Sequence, residues 1–435
     1  MGYGLRVDIC GRSRTDSPIL PCFRICFSQP ICPSERPTCP IAIGRVVFFV
    51  YRLLMGKRYA PGKAIRAISI VLLSLVAMSC SNDQPIRVGF SGQLTGSKAD
   101  LGVQGRNGAA LAVEDINAAG GINGRKLELL AKDDQDTPAG AIQADETLLR
   151  MGVVAIVGHM TSSQTRAAYP VVEKQGGILI SPTTAAPALE DKLDGFFRVI
   201  PSNTKWAEVM AEYAHRKALK TAFFVGDADN IGYTDTFLAS LDNSYTKQGG
   251  RFVGSRLFSS RTGEDWRALA QAIRKAKPEA LMVCMAARDL ASLAQALRPN
   301  EAGITVLGPP WPATNALVLS GGSIVEGFQF VSNYSEDNAY PNFAPFQERY
   351  AKRFGWKPSF AAAFAYEAVV LLADALKRSG GNAQGLKAAL VDSTPHTGII
   401  GPFVMTPSGD VIRPTFITSV KQGRFVITHT VGGTH

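Results

Sequence analysis

Ile86-Arg87-Val88-Gly89-Phe90 is followed by Ala109, Ala112, Val113 and Ile116 at helical intervals, then by Ala119-Gly120-Gly121-Ile122-Asn123-Gly124 and Lys126-Leu127-Glu128-Leu129-Leu130-Ala131. The first run is a short β-branched strand. The spacing of the second predicts a helix over residues 105–118 with Glu114 and Asp115 on its far side and Leu111 as an exception to the apolar face. The glycines and Asn123 tolerate the positive φ of a tight reversal, and the last run makes a second strand. Strand, helix, turn and strand in that order form a βαβ unit, which belongs to a parallel sheet.

The same rhythm continues downstream. Helices are expected at about 138–151 and 163–175, with strands at 153–157 and 177–181; Pro138 suits a first helical turn. After Phe197-Arg198-Val199-Ile200-Pro201 it restarts with strands at 221–225, 251–258, 280–283 and 305–307 and helices at about 232–248 and 265–276. Two long helices, 344–354 and 359–379, and a β-rich end from Gly398 to Ile427 complete the chain, with turns at Pro407-Ser408-Gly409-Asp410 and Gln422-Gly423. The expected fold class is α/β, with two doubly wound parallel-sheet lobes, although no close sequence repeat relates the halves.

Composition agrees with two lobes: the 435 residues are 46% hydrophobic and only 19% charged. The net charge of +10 is concentrated at one end, since residues 1–79 hold eleven Lys and Arg against three acids while the remainder carries 35 basic and 33 acidic residues. A nearly neutral body removes the support for nucleic-acid binding. Five of the seven cysteines (Cys10, Cys22, Cys26, Cys32, Cys39) share that head, leaving Cys80 and Cys284, so no disulfide framework holds the body. Cys22 and Cys26 have a tolerable zinc-ligand spacing, but no second tight pair and no nearby His completes a site.

From Met55 the sequence carries an export signal: Lys57, Arg58, Lys63 and Arg66, the apolar run Ala67 to Met78, then small residues and Cys80. Residues 1–54 are read as upstream sequence, 55–79 as the signal peptide and 80–85 as a tether. Ala77-Met78-Ser79-Cys80 resembles a lipoprotein processing site, which makes Cys80 the lipid-bearing first residue and the membrane a partner through that anchor.

No catalytic signature is present: there is no Walker loop, no His-Glu-x-x-His, and Gly102, Gly105 and Gly108 do not make a dinucleotide fingerprint. Neither a metal nor a cofactor is expected. His159, Thr161, Ser162 and Ser163 lie close together in a hydroxyl-rich loop between strand and helix. That loop suits an anion, because helix N-termini carry free N–H groups and a positive dipole end; a hydrolase acting through Ser162 and His159 is the competing reading. Ser181-Pro182-Thr183-Thr184 follows another strand, so two strand ends could present hydroxyls to one ligand, where parallel sheets gather ligands. Plain helix capping is the alternative for each hydroxyl.

Several motifs together resemble the branched-chain-amino-acid-type periplasmic binding proteins. They are Arg87-Val88-Gly89-Phe90-Ser91-Gly92-Gln93-Leu94-Thr95-Gly96, Ala112-Val113-Glu114-Asp115-Ile116-Asn117-Ala118-Ala119-Gly120-Gly121-Ile122-Asn123-Gly124, Asp133-Asp134, Val157-Gly158-His159, Ile180-Ser181-Pro182, Phe197-Arg198-Val199 and Gly401-Pro402-Phe403. The resemblance runs from about residue 86 to 427. It implies a type I periplasmic binding protein fold with a three-segment hinge, the first lobe from 86–202 and 333–400 and the second from 203–332 and 401–435. It also implies a monomer outside the cytoplasm that traps a small molecule for an ABC permease and its ATPase. A periplasmic sensor for a membrane receptor could use the same lobes.

The resemblance assigns the ligand's carboxylate to Ser162 and Thr183. Thr184 stands beside Ala185, where a family threonine falls, and Leu101 replaces an aromatic of the pocket. On the amine side Asn203 stands for an aspartate, Ile231 for an aromatic, Ala286 for a tyrosine and Pro310 for a glutamate. Arg288 and Trp311, close to the altered positions, favour an acid, an amide or an aromatic compound over an ordinary α-amino acid. A peptide map of the native protein is expected to contain nothing from before Met55, with Cys80 recovered as its lipid-modified first residue. Any peptide from residues 1–54 refutes the start at Met55.

Overall fold

The computed structural model describes residues 84–96, 99–192, 194–391 and 395–431. The upstream segment, the export signal and Cys80 lie outside them. Among the described residues no helix is long and apolar enough to cross a membrane.

The first lobe runs β1 (Ile86–Gly92), α1 (Ala99–Ala118), β2 (Leu127–Asp133), α2 (Pro138–Arg150), β3 (Ile156–Gly158), α3 (Ser162–Lys174), β4 (Leu179–Ser181) and β5 (Phe196–Arg198). Its five strands are all parallel in the order β2-β1-β3-β4-β5. Strands buried on both faces read as continuous apolar runs, which is why Val88, Phe90, Ile156, Val157, Leu179 and Ile180 are fully buried.

The second lobe contains α4 (Asn203–Arg216), β6 (Thr221–Asp227), α5 (Ile231–Lys247), β7 (Arg251–Phe258), α6 (Trp266–Ala276), β8 (Ala280–Cys284), α7 (Ala287–Leu297), β9 (Thr305–Gly308), α8 (Asn315–Gly321) and β10 (Gln329–Ser332). The parallel strands follow the order β7-β6-β8-β9-β10, the same winding as in the first lobe. Similar winding without sequence repeat shows that the alternation of elements, rather than particular residues, carries the architecture.

The chain then returns to the first lobe through α9 (Phe343–Phe354), α10 (Phe360–Arg378), α11 (Leu386–Leu390) and a three-stranded sheet of β11 (His396–Thr397), β12 (Pro402–Met405) and β13 (Val411–Ile412). It ends as β14 (Thr415–Lys421) and β15 (Arg424–Val431), added antiparallel to the second sheet beside β10. Gln422 and Gly423 both take positive φ (50° and 69°), the geometry a two-residue hairpin turn requires.

α1 begins six residues before the spacing predicts, and it is wedged between the sheet and α10. This accounts for Leu111, which is buried although it lies off a single apolar face. Gly108 explains the close approach: a Cβ there would collide with the carbonyl oxygen of Ala362 on α10. The alanines at 361–363 keep that helix slim in return, so the glycine run that fails as a nucleotide motif is a packing device.

Three passages join the lobes: between β5 and α4, between β10 and α9, and at Arg413-Pro414 between β13 and β14. The last falls later than the division expected at 401. β12 and β13 stay with the first lobe because the turn at 407–410 docks there. Gly409 O accepts from Arg198 N (3.0 Å), and Asp410 Oδ1 accepts from Arg198 Nε (2.7 Å). Arg198 of the Phe-Arg-Val motif is thereby a buried clamp, also held by Glu190 at 2.7 Å.

At this passage Arg413 and Glu367 form a buried ion pair, and Glu367 Oε1 also accepts from Ile399 N and Ile400 N (2.7 and 3.2 Å). The Arg413 guanidinium lies 4.1 Å from the centroid of Phe403 and 5.2 Å from that of Phe364. Removing one member strands the other in a low-dielectric interior. Arg413→Met is expected to lose about 3–5 kcal/mol of stability in urea denaturation, and an unchanged denaturation midpoint would refute the pair's structural role.

Candidate functional site

The carboxyl ends of β3 and β4 carry the two hydroxyl loops, and the structure stitches them together. Ser181 Oγ donates to His159 O (2.9 Å), Thr183 Oγ1 donates to Met160 O (2.7 Å), and Thr184 Oγ1 lies 2.6 Å from Thr165 Oγ1. Thr161 caps α3 by position and its hydroxyl is bonded to Gln164. Ser162 Oγ, at the first turn of α3, is buried with no hydrogen-bond partner.

Beneath the loop His159 is fully buried. Its Nδ1 lies 2.9 Å from Asp134 Oδ2 and 3.3 Å from Ser91 Oγ, and its Nε2 lies 3.1 Å from Asp145 Oδ2. Burial alone would pull its pKa down, but the carboxylates of Asp145 and Asp134 more than offset this and raise it to about 10. Both ring nitrogens are thus committed and the ring is held as an imidazolium, so it cannot serve Ser162 as a general base. The hydrolase reading loses its proton acceptor at this point.

The loops face a small cavity between the lobes. The first-lobe wall includes Leu101, Met160, Thr161, Ser162 and Thr183, with Ile200 on the crossing segment. The second-lobe wall is Trp206, Asn230, Tyr233, Pro310 and Trp311, and Phe360 and Phe364 of α10 close the remaining side. No wall residue is acidic or basic. Tyr233 and Trp311 meet edge-to-face at 5.7 Å, and Trp206 is 6.5 Å from Tyr233.

The lobes are bridged around this cavity. Gly232 N donates to Ser163 Oγ and Ser163 N to Asn230 Oδ1, both at 3.1 Å. Thr314 Oγ1 donates to Asp100 Oδ2 (2.9 Å), Arg261 Nη2 to Asp136 O (2.8 Å) and Asn315 Nδ2 to Lys357 O (2.8 Å). The arrangement is that of a shut cleft.

Of the residues singled out from sequence, Leu101, Thr161, Ser162, Thr183, Pro310 and Trp311 line the cavity together, while Thr184, Asn203, Ile231 and Arg288 do not. Thr184 sits behind the wall, turned to Thr165. Asn203 is buried at the start of α4, where Nδ2 donates to Tyr233 O (2.9 Å) and Thr236 Oγ1 (3.1 Å). Ile231 is 44% exposed because it lies two residues, about 200° of helical rotation, from the inward-facing Tyr233. Arg288 is exposed in the first turn of α7, outside the wall, where its charge acts on Asp100. Burial raises the Asp100 pKa against the lowering effect of Thr314 and Arg288. Sequence reasoning missed Trp206, Asn230, Tyr233, Phe360 and Phe364. Trp206 had a signal, since Trp206, Met210, Tyr213 and Ala214 follow helical spacing, whereas nothing local marked Phe360.

The profile of the family described as periplasmic binding protein matches residues 85–424. The chain belongs to the periplasmic binding protein family, in its branched-chain amino-acid type. Similar to this binding protein are an "Amino acid binding protein" of Pseudomonas aeruginosa, 28% identical over 354 residues (79% of this chain, 92% of that one), and the "Leu/Ile/Val-binding protein homolog 3" of Brucella melitensis, 26% identical over 356 residues (80% and 94%). Among solved structures, a Streptococcus pneumoniae branched-chain amino acid transporter substrate-binding protein in complex with isoleucine shares the fold at a TM-score of 0.74, with 24% identity (80% of this chain, 99% of that one). A Rhodopseudomonas palustris solute-binding protein in complex with benzoate does so at a TM-score of 0.74 and 19% identity (80% and 96%).

The His159 pair of contacts makes the binding protein's stability pH-dependent. Its pKa is raised from 6.5 to about 10, so the stabilisation is fully present below pH 6.5 and is lost as pH rises through about 10. His159→Gln is expected to be less stable by about 3–5 kcal/mol near pH 6. Its deficit against the unsubstituted protein should narrow in thermal melts towards pH 10, and a deficit independent of pH would refute the imidazolium.

Proposed function

We propose that this protein is the extracytoplasmic solute-binding component of an ABC uptake transporter, closing on a small carboxylate- or amide-bearing molecule and presenting it to a permease and its ATPase. The observation that carries this reading is Ser162. Its hydroxyl is buried without a partner at the N-terminal turn of α3, on the wall of a cavity shared by two hydrogen-bonded lobes. A buried hydroxyl of this kind costs free energy unless something bonds it, and the helix-dipole end beside it favours a negative group.

Thr183 supports the same reading from the second loop, and Ser163 ties ligand capture to closure because its amide and hydroxyl reach Asn230 and Gly232 across the cleft. A ligand that touches both walls stabilises the shut state more than the open one, which is all that hinge closure requires. The apolar remainder of the cavity suits the body of a small molecule and holds no group for chemistry on it. A lipid on Cys80 would keep the binding protein at the membrane face where the permease lies.

The test is a thermal-shift screen over amino acids, aromatic acids and amides, followed by calorimetry on the compounds that shift the melting temperature. Ser162→Ala is expected to weaken the best of them by about 1.5–3 kcal/mol, roughly 10- to 100-fold, the range for a hydrogen bond to a charged group. If no compound stabilises the protein, or if Ser162→Ala leaves the affinity unchanged, the reading is overturned.

A further inference from the structure

Among the described residues the most exposed large apolar side chain is Leu319 of α8, at 84%, and Trp356, between α9 and α10, is half exposed. Leu319 belongs to the second lobe and Trp356 to the first, yet the shut cleft joins their immediate neighbours. Asn315 Nδ2, one helical turn before Leu319 on the same face of α8, donates to the carbonyl of Lys357, the residue after Trp356 (2.8 Å). Thr314 beside it donates to Asp100 of the first lobe (2.9 Å), so two consecutive residues pin the start of α8 across the cleft. Both bonds are lost when the lobes part. We infer that Leu319 and Trp356 form a docking face assembled only by closure, and that its occupant is a permease surface with an apolar socket edged by carboxylates. This rests on the solute-binding reading above and names the face its partner touches.

The charge around the two anchors sets the partner's chemistry. Lys357 Nζ of the first lobe and Arg424 Nε of the second reach one carboxylate oxygen, Glu336 Oε2, from 3.7 and 3.8 Å. Glu336 is only 6% exposed whereas both cations are half exposed, so solvent meets positive charge above it. The turn that carries Arg424 is seated on α8, since a Cβ on Gly423 would lie 3.3 Å from Val318 Cγ1. Lys421 adds a further exposed cation on the same turn. The other acids of the region are engaged: Glu326 accepts from the amides of Gln422 and Gly423 (2.9 and 2.7 Å), and Asp337 accepts from Ser335. Two apolar anchors with a cationic rim are complemented by an apolar socket with an anionic one.

The division of the face between the lobes separates this occupant from two others. An anionic lipid surface takes a tryptophan and cations in either state of the cleft and gains nothing from their being brought together. A second copy seated symmetrically on the patch sets its cations against their own kind. A partner that responds to the loaded protein must bind the shut state better than the open one, which requires contacts from both lobes at once. Leu319 and Trp356 supply one from each.

The test is ATP hydrolysis by the purified permease–ATPase complex in lipid nanodiscs, titrated with the mature binding protein and a saturating amount of the compound that most raises its melting temperature. Leu319→Ser and Trp356→Ser are each expected to raise the half-stimulating concentration of binding protein about tenfold, as loss of an interface anchor does. Lys357→Gln is expected to raise it about threefold and to flatten its dependence on salt. These variants should keep the unsubstituted calorimetric affinity for the compound, and Leu257→Ser, at an exposed apolar position on β7, should leave stimulation unchanged. If the complex responds to the unsubstituted protein but either Leu319→Ser or Trp356→Ser has no effect, the two-lobed face is overturned and the solute-binding reading stands. An unaltered salt dependence in Lys357→Gln overturns the anionic rim. Loss of binding to phosphatidylglycerol vesicles, or of a dimer in sedimentation, with stimulation intact gives the face to lipid or to a second copy and overturns the inference. If the unsubstituted protein gives no stimulation, the solute-binding reading falls with it.

Discussion

The site depends on an imidazolium held between two carboxylates. His159 sits at the carboxyl end of β3, and Asp134 and Asp145 reach it from the loop after β2 and from α2. Three segments far apart in sequence are thereby fixed to one another beneath the cavity floor. His159 also offers its carbonyl to Ser181, so the second hydroxyl loop is fixed from the same point. A loop anchored this way holds Ser162 and the start of α3 in one fixed position at the cavity wall.

The scaffold places that loop where both lobes can use it. Each parallel sheet has its neighbour order reversed beside its first strand, and the loops at the strands' carboxyl ends point into one cleft. Three chain passages join the lobes. One passage is gripped by the Arg413–Glu367 pair, whose guanidinium also lies over Phe364 of the cavity wall. Phe364 is therefore common to the cavity wall and to the packing around this passage.

The second lobe's side of the cavity is set by packing. Asn203 brackets the Tyr233 backbone, Pro310 is part of an apolar wall, and Tyr233, two residues after the exposed Ile231, turns its ring inward.

Strand and helix periodicity made the α/β class and most elements legible, since a parallel sheet demands buried runs and its crossovers demand a one-faced helix. The position of the hydroxyl loops was legible for a related reason: Ser162 and Thr183 follow segments whose periodicity marks them as strands, which places both at strand ends on one side of the sheet. The rest was set by packing. Thr184 and Ser162 are equally polar in sequence, but only the fold turns one to Thr165 and leaves the other facing a cavity. Ile231 and Tyr233 differ by a helical rotation that no local pattern reports, and Phe360 and Phe364 reach the wall only because Gly108 lets α10 lie close to α1. His159 beside a serine reads as chemistry, and two aspartates brought from elsewhere make it structure. Local spacing determined which segments became strands and helices, because periodicity is a property of neighbours along the chain. Which side chains share a cavity, and with what charge, was decided by contacts between residues far apart in sequence.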